Sequence, residues 1–209
     1  IGAKDGDVYQ EIRYRPAYHS LIDNGFGFLR GAEINFLDVA VRHYDKHDRY
    51  VLQQINVLEL ASLSPIDEVF KAVSYKVGVN VTRQTNPKTE EDYYALNANV
   101  NGGGTYALTD NIWLYALTGL DAAYGGGLPH NQWAGTDLTG GVLFNSEWFG
   151  GSAEIKKVFA TNKIGSTLTY GAVLDYYLTR NIALEAKFTH TQNYGKNVNE
   201  SLLRLKYNF

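Results

Sequence analysis

Glu200-Ser201-Leu202-Leu203-Arg204-Leu205-Lys206-Tyr207-Asn208-Phe209 is the stretch that decides the class of the chain. Successive side chains of a strand point to opposite faces, so Leu203, Leu205, Tyr207 and Phe209 share one side, and Leu202, Arg204, Lys206 and Asn208 share the other. One face is apolar and the other mostly charged. The pattern recurs upstream. Ile182, Leu184, Ala186 and Phe188 oppose Ala183, Glu185 and Lys187. Leu168, Tyr170, Ala172, Leu174, Tyr176 and Leu178 oppose Thr167, Thr169, Gly171 and Asp175. Val73, Tyr75, Val77, Val79 and Val81 oppose Ser74, Lys76, Gly78, Asn80 and Thr82, while Tyr94, Leu96, Ala98 and Val100 oppose Asn97, Asn99 and Asn101. A soluble sandwich requires apolar inner faces. Strands whose second face carries Lys, Glu and Asn suit a wall with hydrocarbon outside and a polar interior.

Composition agrees with this period. The 209 residues include 16 Tyr, 9 Phe and 21 Gly but only 4 Pro, a blend that favours twisted strands and tight turns over packed helices. Mean hydropathy is negative, and no run approaches the ~18 to 20 apolar residues of a membrane helix. A barrel escapes that test, since only every second residue meets lipid. A net charge of -3 supplies no broad basic field, so nucleic acid is not an expected partner. With no Cys, disulfides, thiolate catalysis and Cys-ligated zinc are all excluded.

The ending resembles bacterial outer-membrane β-barrels, whose last strand closes on a terminal Phe with an aromatic two residues earlier and apolar residues at alternate positions. Leu203, Leu205, Tyr207 and Phe209 match that pattern. The resemblance implies an outer-membrane location with a periplasmic C-terminus, contact with lipid and lipopolysaccharide, and recognition of these four residues by the barrel-assembly machinery.

Counting back from Phe209 predicts strands near 200–209, 181–192, 166–178, 148–159, 136–145, 111–123, 93–107, 71–83, 50–61 and 31–43, with Val8–Tyr14 as an eleventh. Single-chain bacterial barrels use even numbers, so Ile1-Gly2-Ala3 reads as the tail of a twelfth strand begun upstream. The expected fold is therefore an all-β transmembrane antiparallel barrel of about twelve strands, or ten if residues 1–30 lie outside the wall. The expected organisation is a single domain over 1–209 that forms the C-terminal part of a longer protein. Short connections such as 108–111, 145–147 and 178–181 alternate with longer ones at 84–92, 124–135, 160–165 and 193–199, which places the short set on the periplasmic side. Mixed faces in 31–43 and 50–61 predict β-bulges.

Residues 14–30 form the longest stretch without alternation and read as a long periplasmic connection or plug. Arg13, Arg15, Tyr18, His19, Asp23, Arg30 and Glu33 are its candidate docking or plug residues, with Phe26 and Phe28 packed beneath the mouth. His19, Ser20 and Asp23 supply hydrolase residue types. Adjacent Ser and His point to opposite faces of a strand, so the structural role of His19 is favoured over a catalytic one. The run RYRPAYHSLIDNGFGFLRGAEINFLD, with upstream YQEI and the later NVLELASLSPIDEVF, resembles the C-terminal barrel of a proteobacterial family of membrane-anchored proteins. In that family the barrel follows an Lnb-type, papain-like periplasmic domain. The resemblance implies that enzymatic residues belong to that upstream part and that none carries over here.

Other candidates are weaker. His43, Asp45, His47 and Asp48 read as a solvated charged turn rather than a metal site. Gly102-Gly103-Gly104 and Gly125-Gly126-Gly127 lack the Lys-Ser/Thr of a phosphate loop, and the second reads as a mobile external loop. Trp113, Trp133 and Trp148 fit interfacial girdles better than a sugar-stacking platform, although Trp133, in the long loop, suits either role. No metal or cofactor is expected. Lys76, Asp121, Glu154, Lys156, Asp175, Glu185, Lys187, Arg204 and Lys206 point inward, and their interleaved signs predict a cross-linked interior. The expected role is an anchor or assembly platform for a periplasmic domain or partner. A narrow small-solute channel and an outer-membrane lipid-modifying hydrolase are the alternatives.

Overall fold

The computed structural model describes residues 1–23, 29–67, 71–86, 89, 91–161, 166–193 and 196–207. Its strands are β1 (Gly2–Lys4), β2 (Asp7–Tyr14), β3 (Ala17–His19), β4 (Ala32–Tyr44), β5 (Arg49–Ser62), β6 (Ser74–Thr85), β7 (Asp92–Ala107), β8 (Ile112–Tyr124), β9 (Gln132–Asn145), β10 (Phe149–Ala160), β11 (Ser166–Tyr177), β12 (Ile182–Asn193) and β13 (Lys196–Tyr207). Each pairs antiparallel with its neighbours, β1 also pairs with β13, and β2 pairs with β4, so the sheet closes on itself. Both β2 and β3 lie along β4, at 39–44 and 34–36, and form one wall strand interrupted at Arg15-Pro16. The wall therefore has twelve strands, and closure leaves no edge to expose backbone N–H and C=O groups to lipid, where each unsatisfied group costs several kcal/mol.

Inside and outside follow the sequence period. Leu205 is 68% exposed and Lys206 only 2%. Outward residues of β7, from Tyr94 through Leu96 and Val100 to Tyr106, form an apolar stripe with an aromatic at each end. Tyr50, Tyr124 and Phe159 extend one aromatic belt around the wall, and Tyr75, Phe144, Tyr176 and Tyr207 the other. Trp148 is exposed, whereas Trp113 departs from the girdle expectation. Trp113 faces inward beneath Arg30, and Trp133 lines the lumen.

β1 is the shortest wall strand, and inward side chains staple the seam it fills. Arg42 of β4 binds Glu11 of β2 at 2.8 Å and Glu200 of β13 at 2.6 Å, with its guanidinium 4.0 Å from the Tyr9 ring centroid. Tyr9 donates to Glu200 at 2.9 Å, and Arg204 joins Glu11 to Glu185. Gly2 is needed here, because a Cβ would collide with the Tyr9 ring.

The expected irregularities fall in β4 and β5, where the pairing shifts between Ala40 and Val41 and again between Asn56 and Leu58. Leu37 takes a φ of 54°, which explains why its side chain leaves the alternation. The connections at the end opposite Tyr207 are shorter than expected. β9 begins at Gln132 and β13 at Lys196, because neither Gln132-Trp133-Ala134-Gly135 nor Lys196-Asn197 carries the apolar alternation that marks a strand. The Gly125–Gly127 segment is pinned rather than loose: Gly125 N–H donates to Asn131 O, Leu128 N–H to Gly125 O, and the Asn86 amide to Gly127 O. His43 stands between Asp45 and Asp48 and packs on Tyr50. Phe209, Phe26 and Phe28 lie outside the described residues.

Candidate functional site

The lumen has two differently built ends. At the end where β13 finishes, residues 20–23 and Leu63, from the connections that follow β3 and β5, enter the mouth. Ser20 and Asp23 bracket a tight turn: Asp23 N–H donates to Ser20 O at 3.1 Å, and Ser20 N–H to the Asp23 carboxylate at 2.8 Å. This geometry places Leu21 and Ile22 at the tip of the turn, where they enter a dry cluster with Leu63, Ala61, Tyr115, Leu117 and Leu143. Leu63 is fully buried, and its N–H donates to Gly31 O at 2.7 Å, so the two connections are bonded to each other as well as to the wall.

Polar contacts seat this plug. The Asn145 amide donates to Leu21 O at 3.1 Å, and the Tyr177 hydroxyl donates to Ile22 O. Gly150 makes the approach possible, since a Cβ there would occupy the position of Ile22 O. Lys206 binds Asp23 of the plug at 3.2 Å and Asp175 of the wall at 2.6 Å, with Glu185 at 3.6 Å. Its side chain is 1% exposed and is surrounded by three carboxylates. Below the plug, Ile66 N–H donates to Thr105 O, and Arg30 lies over the Trp113 ring and donates to Asp110 O.

Above the plug the lumen is crossed by ion pairs. Lys76 of β6 binds Glu154 of β10, four wall strands away, and Tyr115 donates to the same carboxylate at 2.6 Å. Lys156 binds Asp121 at 2.8 Å and approaches Asp137, which the Asn101 amide also reaches. The cross-linked interior expected from interleaved charges is thus present. Lys187 of β12 faces Arg13, Glu185, Arg204 and Glu200.

The residues singled out in the sequence do not form one ledge. Asp23 and His19 belong to the plug, with His19 Nδ1 3.7 Å from Asp23 Oδ2. Glu33 faces the lumen near Glu59, Lys76, Asp23 and Glu154. Arg13 sits higher, bound to Asp38 at 2.8 Å and donating to Gln54. Arg15 follows β2, and Arg30 spans the outer side of the mouth. The side chain of Tyr18 lies outside the described residues. The hydroxyl of Ser20 accepts from Ile22 N–H at 3.4 Å, and Asp23 caps Ser20 N–H and binds Lys206. These bonds commit Ser20 and Asp23 to holding the turn, and the His19–Asp23 separation exceeds hydrogen-bond length. Leu21, Ile22 and Leu63, the parts that fill the mouth, were not singled out. Their signal was a pair of apolar residues inside a stretch with no period, flanked by turn-forming Ser and Asp.

The opposite end is an open cavity of about 1040 Å³. Asn80, Thr82, Asn97 and Asn99 line it on β6 and β7, and Thr167, Thr169, Thr189 and Thr191 on β11 and β12.

A family model described as a domain of unknown function, DUF7840, matches residues 1–207. The chain belongs to this family. No curated protein matches it in sequence. In fold it is similar to a NanC porin solved in a rhombohedral crystal form, with a TM-score of 0.58 and 12% identity, over 100% of this chain and 97% of that one. At that identity the likeness shows the fold alone. A porin-like twelve-stranded barrel fits an outer-membrane location.

Proposed function

We propose that this family member is an outer-membrane barrel that serves as an anchor or platform, with the plugged mouth and the C-terminus on the periplasmic side and a periplasmic domain or partner held beneath it. The observation that carries this reading is the plug. Leu21, Ile22 and Leu63 form a dry layer inside the mouth, Lys206, Tyr177 and Asn145 tie it to three wall strands, and Gly31 bonds Leu63 to the rest of the plug. A general channel gains nothing from burying three large apolar side chains in its path, whereas a support gains rigidity. In this reading an Lnb-type papain-like domain is the upstream part.

The second reading, a small-solute channel, is favoured by the porin-like fold and by the polar cavity at the far end. Conductance in planar bilayers separates the two. The purified chain is expected to show no steady current, and Ile22→Asp with Leu63→Asp, which puts charge into the dry layer, is expected to open one. A steady ohmic pore from the unaltered chain would replace the anchor reading with the channel.

A further inference from the structure

We propose that the open cavity at the vestibule end is a binding site for a neutral oligosaccharide, presented to the cell exterior in the orientation given above. Among the described residues its charges balance. Lys4, Arg49, Arg83, Lys156 and Lys196 line it together with Asp5, Asp7, Asp92, Asp121 and Glu200. Several of these charges are already paired. Asp92 binds both Arg83 and Arg49, Lys156 binds Asp121, and Glu200 binds Arg42. A site without a dominant sign offers an anion or a cation no net attraction to offset its desolvation.

Amides and hydroxyls on two facing walls make up much of the remaining lining. β6 and β7 lie five wall strands from β11 and β12 in a ring of twelve, nearly opposite one another. The first wall carries an amide ladder that is hydrogen-bonded within itself. The Asn97 amide donates to Asn80 and Thr82 at 3.0 and 2.9 Å, the Asn99 amide to Asn101 at 3.0 Å, and the Tyr93 hydroxyl to Gln84 at 2.9 Å. The second wall is a threonine ladder, in which Thr169 pairs with Thr191 across the strands and Thr167 donates to Asn193 at 3.1 Å. Amides and hydroxyls both donate and accept, as every hydroxyl of a sugar does. Networks that hold these groups in place lower the ordering cost of binding. Trp133 and Tyr93 add aromatic surface to the same cavity, suited to the C–H faces of a pyranose.

Size and depth agree with a short oligosaccharide. About 1040 Å³ lies at the upper limit of the ~300 to 1,000 Å³ common for small-molecule sites. The Lys156–Asp121 pair forms its floor, and the Lys76–Glu154 pair and the plug lie beyond it, so the cavity retains a ligand rather than passing it on.

The test is calorimetric titration of the folded chain, in a sugar-free detergent, with maltotriose, cellotriose and chitotriose, and with trigalacturonate as the anionic control. At least one neutral trisaccharide is expected to bind saturably, and trigalacturonate at least tenfold more weakly. Thr169→Val with Thr191→Val removes two hydroxyls at nearly constant shape and is expected to weaken binding tenfold or more while heat-modifiable gel mobility stays that of the folded barrel. Asn99→Ala, made separately, is expected to act in the same direction. Trp133→Phe is expected to abolish the ligand-induced fluorescence change while calorimetry still detects binding. Absence of saturable binding by all three neutral sugars, tighter binding of trigalacturonate, or unchanged affinity in both the threonine and asparagine variants would overturn the proposal. None of these outcomes bears on whether the plug blocks current, which conductance decides independently.

Discussion

The two ends of the lumen use the same wall strands for opposite purposes. At the plugged end, Leu21, Ile22 and Leu63 are buried, and Lys206 is enclosed by Asp23, Asp175 and Glu185. At the vestibule end, charges stay at the rim in partly exposed pairs, and amides and hydroxyls face open space. The difference shows how a barrel of one size can be made rigid or receptive along its own axis. Dry packing with buried ion pairs makes every group depend on its neighbour, because an unpaired charge there has no solvent to turn to. Wet packing leaves each pair nearly dispensable.

The largest expected effect follows from breaking the buried side of this contrast. Lys206→Ala strands Asp175 and Asp23 without their shared cation, and a loss of about 3–5 kcal/mol is expected, as for other buried pairs broken from one side. Lys156→Ala, at the floor of the vestibule, is expected to cost much less, because Lys156 is about one-quarter exposed. Urea unfolding of both variants in lipid checks the ratio, and equal losses would erase the distinction between the ends.

Backbone packing sharpens the comparison. Gly150→Ala pushes a methyl into the position of Ile22 O, and overpacking of this kind costs about 1–3 kcal/mol. Gly126→Ala, where a Cβ meets nothing, is expected to stay within about 0.5 kcal/mol of the parent. If the plug shifts instead of straining, Gly150→Ala gains conductance without losing stability, which the same bilayer measurement detects.

The smallest effect is at the rim. Burial works to raise the Asp92 carboxyl, but the Thr85 hydroxyl and the Arg83 and Arg49 guanidiniums outweigh it and hold it below the ordinary carboxylate range. The stability this contributes is present above the unfolded carboxylate value of about 3.9 and is lost as pH falls through the lower folded value. Asp92→Asn is therefore expected to cost less than about 1 kcal/mol at pH 7, and the cost should shrink as pH falls through the lower folded value. Unfolding midpoints of parent and variant across an acid titration measure it. A difference that stays constant on acidification would show that the side chain acts through shape rather than charge.

Much of the barrel was legible in order. The strand boundaries at 166–178 and 181–192 agree with β11 and β12 to within one residue, since Tyr170, Leu174, Leu184 and Phe188 alternate without a break. The start of β13 was read four residues late, because Lys196, Asn197 and Asn199 break the alternation where both faces of the strand meet water. The plug was located as a segment but not in its contacts. Arg13 and Glu33 were grouped with Asp23 by nearness in sequence, yet Arg13 binds Asp38. Leu63, placed 42 residues after Leu21 in the chain, shares its cluster.

By itself the sequence determined which side chains face lipid and which face inward, because a period of two is a local property written residue by residue. Only the tertiary structure decided which inward groups meet. Closure of the ring sets which strands stand opposite, bringing Lys76 to Glu154 and the Asn97–Asn99 ladder to face Thr169 and Thr191. It also sets where segments without any period, Leu21–Ile22 and Leu63, come to rest. Those contacts join residues far apart in the chain, and their geometry exists only once the wall has closed.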